Sequence, residues 1–169
     1  MSEELKTLLS LFISPETSQE QRETARQALL QFYSNPQSTL ELLTLYPNEQ
    51  NRQIRFAAAV GLTRSLKLNW DNNLYSSDFH EPIKQAIIQI LQFETDSIIR
   101  HTLVRAIIPV MKRDSDRWPE LLQLITTLTA NRSDHLSVEF AMYLITFFVE
   151  HLPPSQRTEN LPFFVQLCE

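Results

Sequence analysis

The sequence predicts an all-α protein, a right-handed α-solenoid of about four antiparallel helical pairs plus the start of a fifth. Amphipathic segments follow one another with short polar breaks, as expected for stacked helices. An apolar residue followed by Arg opens a helix at Ile54-Arg55 and again at Ile99-Arg100, 45 residues later, a typical spacing for helical repeats. The single Gly disfavours strand-rich folds, which need many tight turns.

Composition limits the class of protein. The 169 residues suit one domain, and 43% hydrophobic residues make the chain too apolar for disorder. The net charge of -5 argues against nucleic acid as a partner. Cys168 is the only cysteine, so no disulfide forms within the chain. The N-terminus lacks the features of a signal peptide, and no apolar run is long enough to span a membrane. We therefore expect a protein of the cytoplasm and nucleus.

The first two helical pairs are predicted at residues 3–34 and 36–68. Ser14-Pro15 ends the first helix, and Thr17 or Ser18 caps the second, with Glu20 and Gln21 placed to complete a capping box. Pro36 suits the first turn of the third helix. A polar loop from Asn69 follows the fourth helix. The predicted helices are 5–12, 18–33, 36–45 and 51–68.

Two further pairs are predicted at residues 78–113 and 119–152, with a partial fifth at 154–169. Thr95 or Asp96 caps the second helix of the third pair, and Pro109 should bend that helix. The last nine residues are apolar without a polar capping repeat, so we expect the solenoid to continue beyond residue 169. The predicted helices are 78–93, 96–113, 119–129, 133–152 and a ninth over 156–169, interrupted near Pro162.

Several residues recur in register and are predicted to be structural. Arg22, Arg55 and Arg100 each open a second helix, whereas the fourth copy has Glu139. We expect Arg55 and Arg100 to bind acidic or amide groups of the neighbouring repeat, with Asn51 and Asp96 as candidates. The large side chains of Trp70 and Trp118 are expected to fill junctions between repeats, although exposed Trp residues would anchor a partner. Pro119, next to Trp118, starts a helix.

Catalytic patterns do not emerge from the sequence. The four His residues match no metal motif, and one Gly cannot build a phosphate loop. We predict no enzyme, no cofactor and no metal site. Polar residues on the second helices are the candidate partner-binding surface, and a merely solvated face is the alternative. These candidates are Gln27, Gln31, Thr63, Arg64, Lys67, Arg105 and Lys112.

The segment at about residues 20–70 resembles the N-terminal domain of the importin-β (karyopherin-β) nuclear transport receptors. A later stretch, Ile99-Arg100 to Trp118-Pro119-Glu120-Leu121-Leu122, is similar to the family's third repeat and the start of its fourth. The first part of the resemblance is carried by Ala25, Leu29, Phe32, Pro36, Leu42, Leu43, Ile54, Arg55, Ala58, Leu62, Leu66 and Trp70.

This resemblance implies HEAT repeats whose second helices form an inner face that binds the small GTPase Ran in its GTP form. It also implies that cargo proteins and nucleoporins bind through regions beyond this chain. Where many family members have Lys-Asn, this chain has Thr63-Arg64. The alternative is a HEAT-repeat scaffold or adaptor for protein–protein interaction, unrelated to Ran. The sequence predicts neither the cargo nor the direction of transport.

Overall fold

The structure is a computed structural model that describes residues 2–114 and 118–151, together with 154, 158, 162 and 164–166. Every secondary-structure element in these residues is helical, which confirms the all-α class. The helices are α1 (Ser2–Ile13), α2 (Gln19–Tyr33), α3 (Gln37–Leu45), α4 (Arg52–Asp71), α5 (Ser77–Phe93), α6 (Ser97–Asp114), α7 (Pro119–Ala130) and α8 (His135–His151), with a short 3₁₀ helix (Tyr46–Asn48) after α3.

Helices adjacent in the chain pack together, α1 with α2, α3 with α4, α5 with α6 and α7 with α8. The pairs are joined through α4, which packs most extensively against α6, and through α6 with α8. This arrangement is consistent with an α-solenoid, while its handedness, the antiparallel pairing and the repeat boundaries stay predictions. Most of the predicted helix at 156–169 lies outside the described residues.

Helix starts follow the capping signals of the sequence. Ser18 and Gln21 form the predicted capping box at α2. Asn51 caps α4, because its side-chain oxygen accepts hydrogen bonds from two amides of the first turn at 2.9 and 3.4 Å. Asp96 does the same for α6 at 3.1 and 3.2 Å. Pro119 occupies the first turn of α7, where its missing amide hydrogen costs nothing.

The end of α4 differs from the prediction. The polar loop was expected from Asn69, but the helix continues to Asp71. Asn69 is fully buried, and its Nδ2 donates to the carbonyls of Tyr33 and Ser65 at 2.9 and 2.8 Å. These bonds satisfy the buried Nδ2 of Asn69, which helps the helix to tolerate this side chain inside the core. Two residues after the helix ends at Asp71, Asn73 has a φ of 56°, the left-handed conformation that Asn adopts more readily than most residues.

A network of buried hydroxyl groups links α3 to α4. Ser65 Oγ lies 2.5 Å from Ser38 Oγ and 2.7 Å from Thr39 Oγ1, and Thr39 also bonds the Tyr75 hydroxyl. All four side chains are buried. A hydrogen-bonded network of this kind favours one register between two helices, because a shifted register would leave buried polar groups without partners.

Candidate partner-binding surface

Helices α4 and α6 lie side by side and run in the same direction. An ion pair between Arg52 Nε and Asp96 Oδ2, 2.5 Å long, joins their first turns. Further along both helices, Thr63 Oγ1 donates to the carbonyl of Thr102 at 3.3 Å. The exposed sides of the two helices therefore adjoin and form one continuous surface.

Four cations occupy this surface. Arg64 and Lys67 on α4 and Arg105 and Lys112 on α6 are exposed, and none makes an ion pair or a hydrogen bond to the described part of the chain. We call this set the basic surface. An exposed cation without an intramolecular partner keeps its field available to a negatively charged molecule. The basic surface therefore favours an acidic partner.

The remaining described cations contrast with this set. Seven of them are engaged, and Arg132, in the α7–α8 loop, is the other exposed cation without such a bond. The engaged cations are Lys6, Arg22, Arg26, Arg52, Arg55, Lys84 and Arg100.

Apolar side chains lie among these charges. Phe56 on α4 is 38% exposed, and Ile98 on α6 is 56% exposed. A mixture of exposed apolar and Arg side chains is typical of protein interfaces, and it differs from a uniformly solvated helix face. In composition and charge this surface is therefore a candidate protein-binding face.

An aromatic column extends the surface from α6 to α8. The His101 ring stacks on Tyr143 with centroids 3.9 Å apart, Phe147 follows at 6.0 Å, and His151 lies 4.3 Å from Phe147. All four side chains are half-buried. Sequence analysis missed this column, although the four-residue spacing of Tyr143, Phe147 and His151 on one helix was a usable signal.

Three of the predicted candidates do not belong to the basic surface. Gln27 bonds Glu23 on its own helix at 2.7 Å. Gln31 lines a cleft with residues of α1 and α3, on the side of α2 away from α4. Thr63 is half-buried between α4 and α6, where its hydroxyl bonds the backbone. The structure thus places Arg64 and Lys67 on the exposed part of α4 and Arg105 and Lys112 on that of α6, whereas both glutamines belong to α2.

The repeated arginines share one type of contact. Arg22 Nη2 donates to the carbonyls of Ser14 and Thr17 at 2.9 and 3.2 Å, and Arg55 Nη1 donates to that of Gln50 at 3.4 Å. Arg100 donates to a carbonyl in the α5–α6 loop, and its guanidinium lies 4.8 Å from the ring centroid of Phe140 on α8. Each Arg therefore ties a second helix to the loop that precedes it.

Two buried glutamates, which the sequence analysis did not select, link neighbouring pairs. Glu49 forms an ion pair with Lys6 on α1 at 2.8 Å, and Glu94 forms one with Arg55 on α4 at 3.3 Å. Glu94 also accepts a hydrogen bond from the hydroxyl of Tyr46. Burial, with the adjacent Glu94, raises the pKa of Tyr46 far above its ordinary value. The expected partners Asn51 and Asp96 act as helix caps instead. The signal available in the sequence was the recurrence of Glu-x-Asn and Glu-x-Asp 45 residues apart.

The two tryptophans are buried. Trp70 is 1% exposed, with its ring centroid 5.4 Å from that of Tyr75 and 4.5 Å from that of His80. Trp118 is 2% exposed just before Pro119. Side chains buried to this degree are not available to dock a partner, so neither Trp contributes to the basic surface.

The part of the chain that the structure describes contains no group of three or more His, Cys, Asp or Glu side chains placed to hold a metal ion. In the same residues, no helix combines the length and the apolar character needed to cross a membrane.

The fold is that of a helical-repeat protein, and the basic surface is its candidate binding site. Residues 25–92 match the importin-beta N-terminal domain family. The chain is also similar to the probable importin subunit beta-4 of Schizosaccharomyces pombe, with 28% identity over 149 residues, which cover 87% of this chain. The chain spans 14% of the length of that relative. These matches confirm the resemblance predicted from the sequence, which is to the importin-β family of nuclear transport receptors.

Proposed function

We propose that this chain is the N-terminal portion of a nuclear transport receptor and that its basic surface binds Ran in the GTP form. The observation that carries the proposal is the collection of four cations without ion pairs on adjacent helices. Two of them, Arg64 and Lys67, fall inside the segment that matches the importin-beta N-terminal domain. The receptor acts in the cytoplasm and the nucleus.

On this proposal the chain recognises its partner and catalyses no reaction. Ran docks on α4 and α6, and its binding free energy is coupled to that of cargo held by other parts of the receptor. Cargo and nucleoporins bind through those other parts. A coupling of this kind needs differential binding by two states of a deformable solenoid, and it requires no bond to be made or broken.

The test is a calorimetric titration with Ran loaded with a non-hydrolysable GTP analogue and, separately, with GDP. We expect binding to the GTP form and its loss on Lys67→Glu with Arg105→Glu, because both cations would then repel an acidic partner. Arg132→Glu is the matched control, since Arg132 is an equally unpaired exposed cation outside the basic surface. Equal binding of both nucleotide forms, or binding unaffected by the double reversal, contradicts the proposal.

The second candidate function is a HEAT-repeat scaffold or adaptor unrelated to Ran. The aromatic column favours it, because this column carries the surface onto α8, outside the segment that matches the importin-beta N-terminal domain. Thr63-Arg64 in place of Lys-Asn also suits a partner other than Ran. A scaffold would bind its partners without regard to the nucleotide on Ran.

A further inference from the structure

A narrow cleft of about 160 Å³ lies where α1 and α2 meet α4. Its inner walls include Leu9 and Leu29, which are almost fully buried, while Phe12 and Val60 are half-buried at its sides. Phe56, 38% exposed, stands at the opening. Most of the lining is therefore apolar, and filling the cleft would remove apolar surface from water.

The size of the cleft restricts what fills it. Small-molecule sites generally have volumes of about 300 to 1,000 Å³. A cleft of about 160 Å³ is below that range and accommodates one large apolar side chain. Its shape and composition suit an anchor residue of a protein partner.

The charge at the opening of the cleft determines which residues of the partner can flank that anchor. Arg26 and Arg64 both line the cleft. Arg26 is engaged by both carboxylate oxygens of Glu23, at 2.8 and 2.7 Å. Arg64 makes no ion pair, and it lies one helical turn after Val60 on the same side of α4. A carboxylate next to the anchor would therefore meet a guanidinium with no competing partner.

We propose that this cleft binds one large apolar side chain of an acidic protein partner, flanked by an Asp or Glu that pairs with Arg64. The inference rests on the proposed function, because it takes this partner to be the same protein that docks on the basic surface. It adds a second point of attachment on α1, α2 and α4, beyond the charges of α4 and α6.

The first experiment fills the cleft. In Val60→Trp, the indole occupies the space of the anchor, and we expect the affinity for GTP-loaded Ran to fall by about tenfold or more. Gln53→Trp is the matched control, because Gln53 is exposed on α4 and does not line the cleft. Thermal unfolding checks that both variants fold. Arg64→Glu, which adds no bulk, provides a second variant with the same expected loss.

The second experiment needs no Ran. Methyl groups of Ile13 and Val60 are followed by NMR while the capped peptide Asp-Leu-Asp is added, with Lys-Leu-Lys and Asp-Ala-Asp as comparison peptides. We expect saturable shifts with Asp-Leu-Asp, weaker by about tenfold with Lys-Leu-Lys and absent with Asp-Ala-Asp. Equal shifts with all three peptides, or none with any, overturn the proposal.

Together, the two experiments distinguish a failure of the proposed function from a failure of the cleft proposal. If Ran fails to bind while Asp-Leu-Asp shifts the cleft methyls, the function proposed above is wrong and the cleft serves another acidic partner. If Ran binds with unchanged affinity to Val60→Trp and the peptide causes no shift, the cleft proposal is wrong and the basic surface stands. If the chain self-associates and Val60→Trp abolishes this self-association, the cleft binds a second copy of the chain. That result would overturn the proposal of an acidic protein partner.

Discussion

Gly61 faces Tyr33 across the contact between α4 and α2. A Cβ atom at position 61 would lie 2.8 Å from both Cε1 and Oη of Tyr33, closer than non-bonded carbon atoms approach. Tyr33 is itself buried, and burial raises its pKa to about 12. The single glycine of the chain is therefore explained by a close approach between helices, and its backbone conformation is ordinary.

We expect Gly61→Ala to destabilise the fold by about 1 to 3 kcal/mol, because overpacking against the Tyr33 ring outweighs the better helix propensity of Ala. Urea unfolding measures the loss. In a Tyr33→Ala background the same substitution should be neutral or stabilising, since the ring is gone. Gln53→Ala, an exposed change on the same helix, controls for propensity. Equal effects of Gly61→Ala in both backgrounds would contradict this explanation.

At the scale of elements, the contact between the first and second helical pairs includes a charge pair. Glu49, in the loop before α4, bonds Lys6 of α1, and the glutamate side chain is 4% exposed. Burial tends to raise the pKa of Glu49, but the bond from Lys6 and those from the amides of Asn51 and Gln50 outweigh it, and the pKa is lowered. The bond to Glu49 raises the pKa of Lys6.

These shifts set a pH window for the contact. Because the pKa of Glu49 is lower in the folded state, its carboxylate stabilises the fold fully at pH values above the ordinary Glu pKa of about 4.3. This stabilisation is lost as the pH falls through the folded-state pKa. Because the pKa of Lys6 is higher in the folded state, its ammonium group stabilises the fold fully at pH values below the ordinary Lys pKa of about 10.4. That stabilisation is lost as the pH rises through the folded-state pKa. The pair should therefore stabilise the fold fully between roughly pH 5 and 10.

We expect Glu49→Gln to lower the free energy of unfolding at neutral pH and to have a smaller effect at acid pH below the folded-state pKa of Glu49, where the wild-type carboxylate is protonated as well. Urea unfolding across the pH range measures the difference. Glu16→Gln makes the same change of charge at an exposed residue without a described ion pair, so its curve should follow that of the wild type. An effect of Glu49→Gln that is constant with pH would exclude the charge pair as its cause.

Helix ends show how neighbouring elements override local signals. Asn69 reads as the start of a loop in the sequence, yet its amide bonds Tyr33 of another helix and α4 continues. Helix propensity alone would end the helix near this residue, since Asn favours caps and turns. A tertiary hydrogen bond is worth more than that local preference, and so it moved the boundary.

At the scale of the whole molecule, charge is unevenly distributed. The net charge is -5, but the exposed sides of α4 and α6 hold four cations without ion pairs. A net negative charge, taken as an average over the chain, would favour a basic partner, whereas the local surface suits an acidic one. Local potential decides association, because charges beyond about 10 Å are screened at an ionic strength of 0.1 M.

We therefore expect the association rate constant with GTP-loaded Ran to fall as ionic strength rises from about 0.01 to 0.1 M, where the Debye length shrinks from about 30 to 10 Å. Stopped-flow fluorescence at several salt concentrations measures the slope. Lys67→Glu with Arg105→Glu should flatten or invert the slope, and Arg132→Glu should leave it near the wild-type value. A slope that is the same in all three proteins would contradict electrostatic attraction to the basic surface.

Much of the fold was predictable because its signals are local. The apolar period predicted the helices, and Ser18 and Asp96 marked the starts of two of them, since a cap needs only a side-chain oxygen within three residues of the amides it satisfies. The family resemblance was also predictable, because it is carried by the order and spacing of residues along the chain.

The sequence by itself indicated a helical-repeat protein that resembles the importin-β family, and it selected the four cations of the basic surface. Only the tertiary structure decided that Arg55 meets Glu94, that Gln31 faces away from α4, and that a cleft opens beside Arg64. The physical reason is that these features depend on the offset and angle between stacked helices. Side chains distant in sequence set that geometry by packing, and no local pattern encodes it.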